Sequence, residues 1–329
     1  MKIFVTGGAG FLGRRVVKRL LDDGHDLRCL VRPSSAVDEL QAFVSEGTQS
    51  RLELVQGTVG KLEGAAIAGC EAVCHVAAGM KGCTAALFSD NVTATRRLVK
   101  ASQDAQVKRL VLISSMGVYG TSGLRRGEVL DERCPLDDQP HLRDAYSYSK
   151  VMQERVAWEA HEAGVVPLVV VRPGNIYGPG RDPMSARVGL LQGKLLLRLG
   201  GRQLLPYVQV DACAAGIALA LTAPGVEGEA FNLLDEELLS GRTFLKHYRR
   251  LRRRDLWVVP IPQFAINPLA RCNVWYNRWS RGQLPAVLTP YKCAAMWKSL
   301  RYSVDKAKQK LGWSPWGRTL DGMLPVMQS

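Results

Sequence analysis

A short glycine-rich turn between a strand and a helix constrains the fold of this chain more than any other feature. The stretch TGGAGFLG places Gly7, Gly10 and Gly13 three residues apart, after the apolar run KIFV and at the start of the amphipathic run FLGRRVVKRLLDDG. Gly7 permits a tight turn, Gly10 lets the backbone approach a pyrophosphate, and Gly13 lets the helix pack on the strand. The amino terminus of such a helix offers N–H donors and the positive end of its dipole to phosphates. The turn therefore predicts a dinucleotide-binding site.

The rest of the first half alternates apolar runs with helical patterns, which is typical of βαβ units on a parallel sheet. RLELVQG, EAVCHVAA, RLVLISS and VPLVVVRPG read as further strands, and their near-continuous Val, Ile and Leu content indicates burial on both faces. We expect an α/β fold, a Rossmann-type doubly wound parallel sheet with a smaller carboxyl-terminal substrate lobe. The predicted dinucleotide-binding domain is 1–172, with 206–224 returning to its sheet, and the lobe comprises 173–205 and 225–329.

The charge of the chain is concentrated in one late segment. Of the formal net charge of +14, the whole excess falls between residues 241 and 310, where 16 Lys and Arg stand against two acids. This basic segment, 241–310, also carries several tryptophans, so two interpretations stay open: a folded lobe with a solvated basic rim, or a surface for a membrane or another anionic partner. Without a nucleic-acid module beside the charge, we expect no nucleic-acid binding.

Cysteine usage and the amino terminus bear on location. The eight cysteines show no CxxC pair and no histidines at zinc spacing, so we expect reduced core thiols and no metal site. The chain starts directly with a strand, which leaves no room for a signal peptide, and it has no run of apolar residues long enough for a transmembrane helix. These features predict a cytoplasmic protein, with membrane association through the basic segment as an alternative.

Several motifs, taken in order, resemble the extended branch of the short-chain dehydrogenase/reductase superfamily. They are TGGAGFLG, GCEAVCHVAAG, VLISSMGVYG, YSYSK, VRPGNIYGPG and VDKAKQKLGWSP, which together run through almost the whole chain. Two stretches resemble the 3β-hydroxysteroid dehydrogenase and dihydroflavonol reductase side of that branch. They are LLRLGGRQLLPYVQVDACAAG and the carboxyl-terminal YSVDKAKQKLGWSPWGRTLDGM. Ala212 departs from the pattern, because many relatives have an aspartate there. The resemblance implies an NAD(P)-dependent oxidoreductase.

The end of the second strand bears on the choice of coenzyme. NAD-preferring relatives carry an acid there that accepts hydrogen bonds from the ribose 2′-OH, whereas this chain has Val31 followed by Arg32. A guanidinium can pair with a 2′-phosphate, so we favour NADP(H) over NAD(H). Thr58 replaces an aspartate that many relatives carry near the adenine. The coenzyme-binding residues implied by the resemblance are Gly7, Gly10, Phe11, Leu12, Gly13, Arg32, Ala77, Lys150 and Pro173.

The stretch AYSYSK holds two tyrosines and one lysine. Residues four apart share a helix face, so Tyr146 lies beside Lys150, whereas Tyr148 points away. A neighbouring ammonium favours a phenolate, and we therefore expect Lys150 to lower the pKa of Tyr146 from its usual value near 10. The resemblance implies that Tyr146 exchanges a proton with the substrate oxygen, that Ser115 orients that oxygen, and that Asn91 supports a water relay behind the lysine.

The substrate class remains open between two kinds of reaction and one non-catalytic role. Met116 and Gly117 stand where sugar-nucleotide dehydratases of this fold carry an Asp-Glu pair, which argues against dehydration. Asn175 matches a position at which sugar epimerases contact a diphosphate, so a nucleotide-sugar 4-epimerase remains an alternative. The basic, tryptophan-bearing segment favours a hydrophobic alcohol or ketone. A third alternative is a non-catalytic NADP(H)-sensing scaffold, against which the set of Ser115, Tyr146 and Lys150 argues.

The resemblance also implies an oligomeric state. Relatives often dimerise through two helices, which here correspond to 91–105 and 146–163. We therefore expect a homodimer that acts on a small molecule.

Overall fold

The computed structural model describes residues 1–43, 51–281, 283 and 288–328. Within these residues, seven strands form a parallel sheet in the order β12-β7-β5-β4-β1-β2-β3. The strands are β1 (Lys2–Thr6), β2 (Asp26–Val31), β3 (Leu52–Gln56), β4 (Ala72–His75), β5 (Arg109–Ile113), β6 (Val129–Leu130), β7 (Leu168–Pro173), β8 (Asn175–Tyr177), β9 (Gly189–Gln192), β10 (Leu195–Leu199), β11 (Tyr207–Gln209), β12 (Glu229–Leu233), β13 (Trp257–Ile261) and β14 (Arg301–Tyr302). The predicted α/β fold is confirmed.

Helices flank the sheet, and further helices belong to the carboxyl-terminal part of the chain. They are α1 (Phe11–Asp22), α2 (Asp38–Gln41), α3 (Gly64–Ile67), α4 (Thr84–Phe88), α5 (Ala94–Asp104), α6 (Ala145–Glu162), α7 (Val210–Thr222), α8 (Gly241–Leu251), α9 (Gln263–Trp279), α10 (Pro290–Trp297), α11 (Asp305–Leu311) and α12 (Thr319–Gln328). A π-helical turn at Ser89–Thr93 leads into α5. Two apolar clusters fill the two sides of the sheet, since the strands are buried on both faces.

The order of the strands reverses between β1 and β4. From β1 the chain runs outward through β2 and β3, and it then crosses back to β4, β5, β7 and β12 on the other side. The carboxyl ends of β1 and β4 therefore open a crevice at this switch point, which is where doubly wound sheets bind ligands.

Among the described residues, three smaller sheets lie outside the main one. β13 and β10 pair in parallel and β10 pairs with β9 antiparallel, while β11 joins β8 and β14 joins β6. Side chains from α8, α12, β10 and β11 form the apolar core of the carboxyl-terminal lobe. This core includes Phe244, Tyr248 and Met323.

Two predicted boundaries need correction. Residues 206–224 are predicted to return to the main sheet, but the strand Tyr207–Gln209 pairs with β8 outside it, while Val208 and α7 pack in the apolar cluster on one side of the sheet. Residues 225–329 were assigned to the lobe, but Glu229–Leu233 forms the edge strand β12 beside β7. Sequence periodicity cannot distinguish these cases, because short buried strands look alike whichever neighbour they pair with. Residues 44–50 of the predicted domain, and 282 and 284–287 of the basic segment, lie outside the described residues.

The prediction that the cysteines are reduced core thiols holds for most of them. All eight cysteines are free thiols and five of them are buried, but Cys83 and Cys272 are exposed rather than in the core. In the part of the chain that the structure describes, no helix has the length and apolar character needed to cross a bilayer.

Candidate active site

A cavity of about 990 Å³ opens at the carboxyl ends of the central strands, and every residue predicted to bind the coenzyme lines it. The glycine turn leaves no room for larger side chains, because a Cβ atom at Gly13 would stand 1.9 Å from the carbonyl oxygen of Gly7. Gly7 itself has a φ of 75°, in the left-handed region that favours glycine. A bare backbone followed by the amino terminus of α1 fits the diphosphate of a dinucleotide. We call this space the coenzyme cavity.

A second cavity of about 680 Å³ adjoins the first, and we call it the substrate cavity. Both cavities are lined by the same residues where they meet, namely Ser115, Tyr146, Pro173, Gly174, Asn175, Ile176 and Arg181. Lys150 lines the coenzyme cavity only. The structure therefore brings the predicted serine and tyrosine to a place where a coenzyme and a second molecule could meet.

Tyr146 lies in the first turn of α6. Asp144 caps this helix, and its Oδ1 accepts a hydrogen bond from the backbone N–H of Ser147 at 2.9 Å. Burial raises the pKa of the Tyr146 phenol to about 12, and a hydrogen bond from Ser115 opposes the rise. Tyr148 instead packs its ring against Phe88, with centroids 4.7 Å apart, so the choice of Tyr146 over Tyr148 agrees with the geometry.

The prediction that Lys150 lowers the pKa of Tyr146 is wrong in this structure, since that pKa is raised. The Nζ atom of Lys150 donates to the carbonyl oxygen of Ile113 at 2.7 Å and to Oε1 of Gln153, not to the phenol. Burial lowers the pKa of Lys150 to about 7, against the charge of Glu154, which favours the ammonium. Burial therefore keeps the proton on the Tyr146 phenol, which suits a proton donor.

A chain of buried hydrogen bonds fixes the position of the Lys150 amine. Gln153 accepts from the amine and donates through Nε2 to Thr95 Oγ1 at 2.8 Å. Thr95 shares a hydrogen bond with Nε2 of His75 at 3.0 Å, and Nδ1 of His75 shares one with Thr6 Oγ1 at 2.7 Å. Burial, reinforced by the charge of Lys150, lowers the pKa of His75 to about 3, so the imidazole is neutral. The network thus ties the lysine to β1, β4 and α5.

Asn91 lies beside this network without joining it. Its Oδ1 accepts from the backbone N–H of Gly79 at 2.7 Å, and its Nδ2 donates to Gly79 O at 3.1 Å and to Ser149 Oγ at 2.8 Å. These bonds hold the loop after β4 against α6. The predicted role of Asn91 in a water relay stays a prediction.

A buried ion pair supports the strand end that carries Ser115. Arg172 Nε donates to Glu154 Oε1 at 3.0 Å, and Ser114 Oγ donates to Glu154 Oε2. Burial works against the charge of Arg172, but the Glu154 carboxylate outweighs it and raises the pKa of the guanidinium. The pair ties α6, β5 and β7 together directly behind Ser115 and Tyr146, so it fixes their relative position.

The walls of the substrate cavity are mainly apolar but carry cations at one side. Its apolar lining comprises Met116, Ile176, Pro183, Met184, Leu190, Pro206, Tyr207, Met296 and Trp297. Arg143, Arg181, Arg187 and Lys292 also line it, together with Asp144 and Asp182. The cavity can therefore take a largely hydrophobic molecule, and it offers positive charge to an anionic group on that molecule.

Sequence reasoning missed the network around Gln153 and the cations of the substrate cavity. Gln153 stands three residues after Lys150, a spacing that places two side chains on one helix face, so that signal was present. Arg187 and Lys292 are more than a hundred residues apart and come from different elements. Nothing in the local sequence joins them.

Together the sheet, the glycine turn and the paired cavities define an α/β enzyme that uses a dinucleotide. The model of the NAD-dependent epimerase/dehydratase family matches residues 3–233, and the chain belongs to that family. It is an NAD(P)-dependent enzyme of the extended short-chain dehydrogenase/reductase type, and an oxidoreductase, as the resemblance implied.

Two curated relatives and one solved structure are similar to this chain. The chain is 29% identical over 323 residues to the 4-hydroxy-2-methyl-3-oxo-4-farnesyl-3,4-dihydroquinoline-1-oxide ketoreductase of Stigmatella aurantiaca, covering 95% of this chain and 92% of the relative. It is 25% identical to the decarboxylating sterol-4-alpha-carboxylate 3-dehydrogenase of Dictyostelium discoideum, covering 95% of each. The fold matches that of a UDP-glucuronic acid 4-epimerase from Bacillus cereus with a TM-score of 0.72, at 19% identity and covering 100% of this chain and 99% of that one.

Proposed function

We propose that this protein interconverts a secondary alcohol and a ketone on a hydrophobic small molecule, with NADP(H) as coenzyme. The observation that carries the proposal is the junction of the two cavities, where Ser115 and Tyr146 line both spaces. The apolar walls on the substrate side favour a steroid-, polyketide- or acyl-like molecule. Relatives named for a farnesyl-bearing quinoline oxide and for a sterol carboxylate support that substrate class.

Each residue at the junction has a distinct task in this proposal. The coenzyme supplies a hydride to the carbonyl carbon, or takes one up in the reverse direction. Tyr146 donates its phenol proton to the carbonyl oxygen, because the raised pKa keeps that proton in place at neutral pH. Ser115 Oγ accepts from the backbone N–H of Gly117 at 3.1 Å, and in this proposal its hydroxyl turns from the Tyr146 oxygen to donate to the carbonyl oxygen of the substrate. Lys150 helps to hold the coenzyme.

The test of this function is a panel of lipophilic ketones and nucleotide sugars incubated with the purified protein and NADPH or NADH. We expect the absorbance of the reduced nicotinamide to fall with at least one lipophilic ketone. A nucleotide sugar that is interconverted with no net change in coenzyme, while no ketone reacts, would instead identify an epimerase.

Coenzyme choice depends on Arg32 in this proposal. Its exposed side chain lines the coenzyme cavity beside Ser34 and Ser35, and Arg14 on the same side pairs with Glu39. A charge-assisted hydrogen bond to a 2′-phosphate contributes about 1.5–3 kcal/mol. We therefore expect Arg32→Ala to lower kcat/KM with NADPH by about 10- to 100-fold and to leave the value with NADH nearly unchanged.

Arg133→Ala serves as the matched control for this change, because the Arg133 side chain is exposed, pairs with Asp131 and is not among the residues that line the two cavities. Steady-state kinetics with both coenzymes are the measurement. An equal fall in kcat/KM with NADPH and with NADH would show that Arg32 does not bind the 2′-phosphate.

A nucleotide-sugar 4-epimerase is the second candidate. Asn175 lines the substrate cavity with Arg181, Arg187 and Lys292, and such a set can pair with a diphosphate. An epimerase regenerates its coenzyme in each cycle and holds it tightly. Dinucleotide released when the purified protein is denatured would support this candidate over the reductase.

We also propose a homodimer. The helices α5 and α6 pack against each other. They correspond to the pair of helices through which relatives dimerise.

A further inference from the structure

The largest exposed aromatic side chains of the protein lie in the carboxyl-terminal lobe, close to one another in the chain. Phe264, Trp275 and Trp279 on α9 are 80%, 66% and 69% exposed, and Trp257 on β13 is 76% exposed. Isolated apolar residues on a surface are ordinary, but several large aromatics on one element mark an interaction site. We call these four residues the aromatic patch.

The helix α9 is amphipathic with its apolar stripe turned outward. At about 100° per residue, Phe264, Trp275 and Trp279 fall within an arc of about 60°. The opposite side of the helix carries Ile266 and Ala270, which are buried against Leu199, Cys293 and Trp297. The helix therefore packs on the core through Ile266 and Ala270, and the aromatic stripe takes no part in that packing.

Trp257 lies on the strand that leads into α9. Alternate residues of a strand share a face, so Trp257 and Val259 lie on the same side of β13 as Ile261. Ile261 packs with Ile266 in the cluster beneath α9, and Val259 and Trp257 are exposed. The lobe therefore exposes a fourth large aromatic side chain close in sequence to the three on α9.

Positive charge borders the aromatic patch. Arg271 and Arg278 are exposed, and helical geometry sets them within about 40° of Phe264 on one edge of the stripe. At the other end, the backbone N–H of Trp257 donates to the carbonyl oxygen of Lys194, whose side chain is exposed. The sequence from 263 to 281 contains no acid, and the nearby Asp255 is paired with Arg253.

We propose that the aromatic patch docks the protein onto the surface of a bilayer that contains anionic lipid. Tryptophans enter the boundary between headgroups and acyl chains, while arginines reach anionic headgroups with long, flexible stems. A second copy of the chain fits this surface poorly, because a two-fold contact through α9 would bring Arg271 and Arg278 close to the same cations of the other copy. The α9 helix would lie in the plane of the interface, without spanning it.

The docked orientation has a consequence for the substrate cavity. Trp297 of α10 lines that cavity and also packs against the inner side of α9. The bilayer and the cavity would therefore lie on two sides of one thin layer formed by α9 and α10. A lipophilic substrate could then reach the site from the membrane, but the docking proposal does not rest on the proposed reaction.

The test is sedimentation of the full-length protein with vesicles of phosphatidylcholine alone or of phosphatidylcholine mixed with phosphatidylglycerol, at low and high salt. We expect binding to the mixed vesicles, weakened by salt. The triple variant Phe264→Ser/Trp275→Ser/Trp279→Ser should bind them at least about tenfold more weakly. Arg271→Glu/Arg278→Glu should bind at least about thirtyfold more weakly, because each of the two basic residues near an anionic surface contributes about 1 kcal/mol.

Matched controls separate docking from general effects of charge and hydrophobicity. Trp316→Ser removes an exposed tryptophan outside the aromatic patch, and Lys108→Glu/Arg133→Glu reverses two exposed cations on the main domain. Both should bind vesicles as the unchanged protein does, and thermal melting followed by circular dichroism checks that each variant is folded. Equal binding of the triple variant and the unchanged protein would overturn the proposal. So would a dimer in lipid-free light scattering that the triple variant converts to a monomer, because the occupant would then be a second copy.

Discussion

Replacing Tyr146 with phenylalanine is expected to lower kcat for ketone reduction by about 10²–10⁴-fold, the usual contribution of a positioned acid or base. Phenylalanine keeps the ring in its place at the start of α6 and removes only the hydroxyl that lies at the junction of the two cavities. The carbonyl oxygen would then retain Ser115 as a hydrogen-bond donor but lose its proton source. Coenzyme affinity should stay nearly the same, since the glycine turn and Lys150 are unchanged.

Tyr148→Phe is the matched control, because it makes the same chemical change two residues away on a ring that packs against Phe88. Steady-state rates and coenzyme titration by fluorescence are the measurements. Full activity in Tyr146→Phe would refute the proposed mechanism and would favour a non-catalytic role for the coenzyme cavity.

Replacing Glu154 with leucine is expected to destabilise the protein by about 3–5 kcal/mol, because it leaves Arg172 buried without a counter-charge. Glu154 is fully buried, and it also accepts hydrogen bonds from Ser114 Oγ and from Trp158 Nε1. Removing the carboxylate therefore leaves a cation and two further donors without their partner. Chemical denaturation followed by circular dichroism gives the change in free energy of unfolding.

Two further variants test the cause of this loss. Glu159→Leu makes the same substitution on the exposed side of α6 and should change stability by no more than about 0.5 kcal/mol. The double variant Glu154→Leu/Arg172→Met removes both charges and should recover much of the lost stability. A double variant as unstable as Glu154→Leu alone would show that lost packing, rather than an unpaired charge, is responsible.

The coenzyme cavity could be predicted from sequence because its determinants are local. Gly7, Gly10 and Gly13 stand in one turn, and the requirement for small residues there follows from how closely a helix must follow a strand. Tyr146 and Lys150 likewise share one helix face by spacing alone. All nine residues predicted for the coenzyme line one cavity, since parallel strands place the loops at their carboxyl ends together.

The electrostatic state of Tyr146 could not be predicted in the same way. Spacing places Lys150 on the same face, but the direction of its amine depends on Ile113 O and Gln153, which take it away from the phenol. Burial then dominates both pKa values, raising that of Tyr146 and lowering that of Lys150. Burial is a property of the packed molecule, and a helical pattern does not report it.

The sequence by itself determined the class of fold, and it predicted which residues share the coenzyme cavity, because glycine turns and helix faces depend on residues a few positions apart. The choice of Ser115 rested on the family resemblance. Only the tertiary structure decided which sheet received Glu229–Leu233 and which cations met in the substrate cavity. It also decided that the aromatic stripe of α9 faces outward. A helix with apolar residues on two sides can bury either one, and the choice depends on which side finds a matching surface elsewhere in the chain.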